Sequence, residues 1–383
     1  MTPARPTRIL VVDDSAVMRS LLRSVVGSDP SLEIAGTAAD GASALAALPA
    51  VAPDLILLDV EMPVMDGLVT LRELRRQGFK MPVIMCSSLT QRGAKVTIEA
   101  LACGASDYVT KPVGQPCREI ALRALTGELI PRIRALTQAD RPLDGRPAFS
   151  PAGIFAPRLA TAVLPQDVLL RPQPLSINPE VVVIGVSTGG PAALDVLLPA
   201  LPATFPLPIL VVQHMPELFT GILAERLGSR CRIPVCEAAE GQRVTPGTVV
   251  VARGNWHMEV LSGAHSSAPP TLHLSQSPPE NHCRPAVDVL FRSAARHYGA
   301  GVLAVVLTGM GSDGLNGCRM IREHGGGVLA QDRATSTVWG MPGALANAGL
   351  AHRVLPLDAV APEILRIVSR AQRDAQELRK WVV

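Results

Sequence analysis

The sequence lacks the devices that staple small secreted domains or carry chains into membranes. Its seven cysteines, at positions 86, 103, 117, 231, 236, 283 and 318, are odd in number and form no C-x-x-C pair. Neither a disulfide framework nor a zinc site is indicated, and most of these thiols should be buried as small apolar groups. No apolar run reaches the ~18 residues that span a bilayer, and the stretch Met1 to Arg8 lacks the apolar core of a signal peptide. A cytoplasmic protein with no membrane insertion is expected. Charge of one sign is scarce too: the formal net charge is +3. Residues 1–113 carry 11 Lys plus Arg against 12 acids, residues 179–383 carry 17 against 16, and the whole excess lies in 114–178, with 8 Arg against 5 acids. A nucleic-acid-binding unit would concentrate basic charge on a folded domain and add a recognition motif. The sequence shows neither, so no nucleic-acid partner is expected.

What is present is an α/β grammar written twice. At 383 residues the chain exceeds what one core usually supports, and 48% hydrophobic against 18% charged residues suits compact α/β domains. In the first part, Ile9–Val12, Leu55–Leu58, Val83–Met85 and Tyr108–Val109 read as short buried strands, and Val17–Val26 as a helix. In the second, strands at Val181–Val186, Ile209–Val212, Thr248–Val251, Val302–Leu307 and Gly327–Ala330 alternate with helical stretches at Ala192–Leu198, Gly221–Leu227, Val287–Ala295 and Gly317–Glu323. Apolar runs uninterrupted by polar positions fit strands covered on both faces, hence two doubly wound parallel sheets. Between them, Pro131 to Pro179 holds nine prolines, too many fixed φ angles and missing donors for a packed core. Arg118 to Leu136 reads as a helix broken or kinked at Pro131. The expected organisation is a domain over 8–127, a Pro- and Arg-rich linker over 128–178, and a second domain over 179–383.

Each half places reactive side chains just after strands. In the first, Asp13 and Asp14 follow one strand, Asp59 another and Lys111 a third. Three carboxylates gathered at strand ends repel one another unless a cation neutralises them, and hard oxygen ligands suit Mg²⁺. The segments VVDDSAVMR, LLDVEMPVMDGL, Ser87–Ser88 and YVTKP resemble the receiver domain of two-component response regulators, over residues 8 to about 127. The resemblance implies a flavodoxin-like fold and phosphorylation of Asp59 by a histidine kinase. It implies Mg²⁺ held by Asp13, Asp14 and Asp59, contacts to the phosphoryl oxygens from Ser87 and Lys111, and Tyr108 as an aromatic switch. A phosphoryl group adds charge and acceptor oxygens at one point and can bias a two-state surface.

In the second half, Ser187, His214 and Asp313 each follow an apolar strand. A Ser, a His and an Asp at strand ends read as a nucleophile, its base and the group that orients the base, because the carboxyl ends of parallel strands meet in one crevice. Gly185-Val186-Ser187-Thr188-Gly189 matches G-x-S-x-G, in which small neighbours let a strand turn sharply into a helix, and Pro191 suits the first helical turn. The turn Thr308 to Gly314 is glycine-rich, so backbone N–H groups can point into the crevice. The order Ser, His, Asp differs from the Ser, Asp, His order of α/β-hydrolases. Together GVSTGGP, QHMP, HCRPAVDVLF, LTGMGSDGLNG and GMPGAL resemble the catalytic domain of chemotaxis protein-glutamate methylesterases, and with the receiver in front the likeness spans nearly the whole chain.

That resemblance implies a Rossmann-like domain with Ser187 as nucleophile, His214 as base and acid, and Asp313 orienting His214. Met310 is a candidate oxyanion-hole N–H donor, and Arg284 a candidate contact to acidic residues on a receptor helix or, equally, a structural salt bridge. The implied reaction is hydrolysis of glutamyl methyl esters on the cytoplasmic helices of methyl-accepting chemoreceptors, with deamidation of selected glutamines, controlled by the kinase of a chemotaxis-type pathway. No cofactor is expected for the esterase. Two other readings are open at this point: a response regulator whose second domain only binds a partner or a nucleotide, and a transcriptional regulator. The latter lacks a helix-turn-helix pattern and a basic recognition helix.

Overall fold

The apolar runs become strands buried on both faces. The computed structural model describes residues 5–112, 117–137, 177–262 and 269–381, with side chains through residue 373. The first domain runs β1 (Thr7–Val12), α1 (Ala16–Gly27), β2 (Leu32–Ala38), α2 (Gly41–Val51), β3 (Leu55–Asp59), α3 (Gly67–Arg76), β4 (Val83–Ser87), α4 (Gln91–Ala102), β5 (Asp107–Thr110) and α5 (Arg118–Thr137). Its sheet is parallel, in the order β2-β1-β3-β4-β5. The direction of winding reverses between β1 and β3, so the crevice lies beyond their carboxyl ends, at Asp13 and Asp59. Short polar side chains start the helices: Ser15, Asp40, Asp66 and Thr90 each accept a backbone N–H of the first turn, which satisfies donors the helix itself cannot.

Two elements depart from the sequence expectation. Strand β2 carries four half-exposed positions in a row, so its apolar signal is weak, and its place is fixed by pairing with β1. Helix α5 (Arg118–Thr137) covers the stretch expected of it but continues through Pro131 without a break. Ala121, Leu125, Leu129 and Ile133 recur every fourth residue and are buried against the first domain, and that packing outweighs the lost proline donor. The domain therefore extends past the expected boundary. Of the expected linker, residues 138–176 lie outside the described part.

The second domain runs β6 (Val181–Val186), α6 (Gly190–Leu197), β7 (Ile209–Gln213), α7 (Glu217–Arg230), β8 (Val235–Glu237), β9 (Val249–Val251), β10 (His257–Leu261), β11 (Thr271–Ser275), α8 (Val287–Tyr298), β12 (Val302–Val306), α9 (Leu315–Glu323), β13 (Gly327–Gln331), α10 (Met341–Asn347), β14 (Arg353–Leu355) and α11 (Leu357–Trp381). Seven strands form one parallel sheet in the order β14-β13-β12-β6-β7-β9-β8. Its winding reverses between β6 and β12, where Ser187 and the Thr308–Gly314 turn emerge. Strands β10 and β11 form a separate antiparallel pair that the sequence reading did not resolve. The pair packs on α8, with Val260 N–H donating to Ser293 Oγ at 2.9 Å.

The two domains share a dry face. Helix α4 packs on α6 and α7, and Ile98, Leu101 and Tyr108 belong to one apolar cluster with Leu194, Phe219 and Leu223. The Tyr108 and Phe219 rings stack with centroids 4.8 Å apart and planes 22° apart. Beside them Thr188 Oγ1 donates to Asp107 Oδ2 at 2.7 Å.

Candidate functional sites at two sheet crevices

Ser187 stands where β6 turns into α6. Gly189 takes φ +77°, a left-handed conformation nearly free of cost only for glycine, and the chain reverses into a helix with Pro191 in its first turn. A Cβ on Gly309 would lie 2.8 Å from Ser187 Cβ, so the turn after β12 approaches the serine as closely as it does because position 309 has no side chain. Ser187, His214, Met310, Asn281 and Cys283 line one cavity of about 510 Å³. Ser187 and His214 come from neighbouring strands β6 and β7, Met310 from the turn after β12, and Asn281 and Cys283 from the loop that leads into α8.

His214 follows β7, and its Nε2 lies 2.7 Å from Asp313 Oδ2. Burial alone would push the imidazole down, but the Asp313 carboxylate and the Cys283 thiol beside it raise its pKa to about 9. Asp313 is itself buried, and burial opposes its charge. The hydrogen bond to His214 and backbone N–H groups outweigh that and hold its pKa below the ordinary value. Those N–H groups belong to Val287 at 2.7 Å and Asp288 at 3.0 Å, the first residues of α8, and to Gly314 at 2.9 Å. Ala286, at the cap position of α8, gives no side-chain cap, so a carboxylate from a distant turn does the capping, and the helix end favours its charge.

Several residues of this site carry no signal of their own in the sequence. Gln213 Nε2 donates to the carbonyls of Ser187 at 3.0 Å and His214 at 3.2 Å, tying the two turns together. Asn281 Nδ2 reaches Asp313 Oδ1 at 2.8 Å and Asp288 Oδ2 at 3.0 Å. Neither shows any periodicity, and both sit beside motif residues that drew attention for other reasons. Arg284 lies apart from the Ser187 cavity and lines the neighbouring cleft. Its guanidinium donates to Asn255 Oδ1 at 2.7 and 3.2 Å and to the carbonyls of Gln276 and Ser277 at 2.9 and 3.0 Å. Those bonds fasten a loop, and they correct the salt-bridge alternative: the partners are neutral oxygens.

From the other side the cavity is closed by the first domain. Asp107, Tyr108, Glu128, Pro131 and Arg132 line it together with Ser187 and His214. Tyr108 is buried rather than exposed. Arg132 Nε stands 3.2 Å from Asp107 Oδ2, within ion-pair distance though not aligned as a hydrogen bond.

The second crevice, beyond β1 and β3, holds the acidic cluster. Carboxylate oxygens of Asp13, Asp14 and Asp59 lie within 4.8 Å of one another, and Lys111 Nζ sits 2.7 Å from both Asp13 Oδ2 and Asp59 Oδ2. Burial first, and the Asp13 charge in addition, raise the Asp59 pKa to about 6, against the pull of Lys111. Apart from Lys111, Asp13 Oδ2 is buried without a hydrogen-bond partner. Three hard carboxylate oxygens so close together fit a divalent cation such as Mg²⁺. Ser87 is fully buried at the end of β4. Among the described residues no helix is long and apolar enough to cross a membrane.

Comparison with known proteins bears on both sites. The CheB methylesterase family model matches residues 182–364, and the response regulator receiver domain model matches residues 9–120. A protein-glutamate methylesterase/protein-glutamine glutaminase of Trichodesmium erythraeum is 47% identical over 359 residues, covering 94% of this chain and 98% of the relative. One from Nocardioides sp. is 49% identical over 363 residues, covering 95% and 96%. Among solved structures, the Thermotoga maritima CheB methylesterase catalytic domain is 41% identical and covers 50% of this chain and 100% of that one, with a TM-score of 0.48.

Proposed function

Because the chain belongs to the protein-glutamate methylesterase/protein-glutamine glutaminase family and carries a receiver domain ahead of its CheB methylesterase domain, we propose that it hydrolyses glutamyl methyl esters on chemoreceptors. We propose that it also deamidates selected receptor glutamines, and that Ser187, His214 and Asp313 do the chemistry. The observation that carries this reading is that His214, bonded through Nε2 to the buried Asp313, lines one cavity with Ser187 at the switch point of a parallel sheet. With Nε2 turned to Asp313, Nδ1 is the ring nitrogen that would take the Ser187 proton, in place of its contact with the Cys283 thiol. The hydroxyl oxygen attacks the ester carbonyl, the oxyanion faces the glycine-rich turn at Met310, and His214 returns the proton as methanol leaves. Water, activated by the same imidazole, releases the glutamate and restores Ser187. An amide passes through the same acyl-enzyme with ammonia as the leaving group.

The receiver supplies control. A histidine kinase phosphorylates Asp59, Ser87 and Lys111 contact the phosphoryl oxygens, and Tyr108 reports the change to the domain face. Bound Mg²⁺ would supply charge neutralisation among Asp13, Asp14, Asp59 and the phosphoryl group. In the arrangement described, the face bearing Asp107 and Tyr108 covers the Ser187 cavity, which supports inhibition by occlusion. Relief by a hundredfold needs only ~2.7 kcal/mol of differential stabilisation between closed and open arrangements.

The test is methanol release from a methyl-esterified receptor by the full chain, with and without a small-molecule phosphoryl donor. Release should rise with the donor and should vanish in Ser187→Ala. Turnover near that of the unaltered protein in Ser187→Ala would remove the serine from its role.

A further inference from the structure

The Asp313 carboxylate does not stand alone. Asp313 and Asp288 are exposed by only 3% and 0%, and a single side-chain amide joins them. Asn281 Nδ2 gives one hydrogen to Asp313 Oδ1 at 2.8 Å and is 3.0 Å from Asp288 Oδ2. The other oxygen of Asp288 accepts the Gly317 N–H at 2.6 Å. Asn281 has φ +52° and His282 φ +63°, two consecutive left-handed residues that are not glycine. Such backbone persists where the surroundings over-determine it, and asparagine is among the few residues that tolerate it.

We propose that Asn281 is a positioning residue of the esterase: its amide, shared between two buried carboxylates, keeps Asp313 anionic and turned toward His214. The inference rests on the esterase reading above. Its physical basis is the repulsion of two carboxylates in a dry site, where one tends to take up a proton. Only an anionic Asp313 stabilises the imidazolium that forms when His214 takes the serine proton. Burial already holds Asp288 above the usual carboxylate range, with the Asp313 charge adding to it and Asn281 opposing. Asn281 donates to both without adding charge, so the proton settles on neither.

The other charged or titratable groups around the pair do not fill this role. Arg292 of α8 is committed to Glu280 through bonds of 2.5 and 2.7 Å and acts on Asp288 by its charge, without a hydrogen bond to either acid. Cys318 of α9 is buried, and burial pushes its thiol well up, so it is neutral. Cys283 faces His214 rather than the carboxylates. Asn281 is the side-chain donor shared by the two acids among the described residues.

The test uses the full chain with a saturating phosphoryl donor and follows methanol release against pH. Asn281→Gly removes the amide and accepts the left-handed backbone without strain. Asn281→Asp keeps the shape and replaces the donor by a third carboxylate. Both should lower kcat by roughly 10- to 100-fold, as when the outer partner of a metal-ligating histidine is removed, with KM little changed. Both should also move the acid limb of kcat/KM toward lower pH, because a protonated Asp313 no longer raises the pKa of His214. Adding Asp288→Asn to Asn281→Gly removes the competing carboxylate while its amide oxygen can still accept from Gly317, and should recover part of the rate and the original limb. A fall in rate with an unmoved limb in both single variants, or no recovery in the double variant, overturns the proposal. If the unaltered protein releases no methanol, it is the esterase reading that fails.

Discussion

At the scale of single residues, His214 as the proposed base ties the working pH of the esterase to its electrostatics. A base must be neutral to accept a proton, and an imidazole with pKa about 9 in the covered arrangement is mostly protonated at neutral pH. Activity of the unphosphorylated protein should therefore climb with pH up to about 9. In Cys283→Ala, which removes one of the groups raising that value, the limb should move toward lower pH; an unmoved limb would show that Asp313 alone sets it. The sign for stability runs the same way. The folded pKa exceeds the ordinary 6.5, so the stabilising His214–Asp313 interaction is complete below pH 6.5 and fades as pH rises through 9. Members of a triad act as a unit, so the Ser187→Ala, His214→Ala double variant should turn over little more slowly than either single one. A double variant slower by the product of the two losses would mean independent roles.

At the scale of elements, the proposed regulation rests on the contact between β5 and the second domain. Tyr108 and Asp107 leave the same strand and meet Phe219 of α7 and Thr188, the residue after the candidate nucleophile. A stacked aromatic pair adds ~0.5–1.5 kcal/mol beyond its area, and one buried hydrogen bond about 1 kcal/mol. Losing either should open the cavity part of the time. Tyr108→Ala is expected to raise methanol release without a phosphoryl donor several-fold and to narrow the gap between the two conditions. A drop in both conditions would mean that β5 assembles the site instead of covering it. Helix α5 belongs to the same face, since Pro131 and Arg132 line the cavity.

At the scale of the whole molecule, each parallel sheet has its own crevice, and in the proposed regulation the Asp59 site acts on the esterase through the face that the described domains share. Asp59→Asn should abolish stimulation by a phosphoryl donor. The same substitution has a stability signature: the folded pKa of Asp59, about 6, lies above its ordinary 3.8, so the charge is carried at a cost above pH 6. That cost disappears as pH falls toward 4. In metal-free solution Asp59→Asn should raise the melting temperature at pH 7 and lose that advantage by pH 4, which thermal unfolding across pH would read. A gain independent of pH would point to packing, not charge. Residues 179–383 expressed alone should release methanol faster than the unphosphorylated full chain; an equally slow fragment would mean that the receiver activates the esterase directly.

The central strands, the order of the two domains and the residues at strand ends were legible in the sequence alone. Uninterrupted apolar runs such as Val181–Val186 and Val302–Val306 can only be buried on both faces, and strand-end polar groups of parallel sheets converge in a crevice whatever the loops do. Local pattern was enough because each signal lies within a few consecutive residues. The tertiary structure alone decided where β2 pairs, that α5 passes Pro131, that β10 and β11 stand apart as an antiparallel pair, and which neutral amides serve the ionised groups. Asn281, Gln213 and the Asp107–Thr188 bond depend on residues far apart in sequence, and Arg284 spends its donors on oxygens that no motif names. An amide has no periodicity and no charge to betray its role. That role exists only once burial removes water and leaves each carboxylate and carbonyl in need of a particular partner.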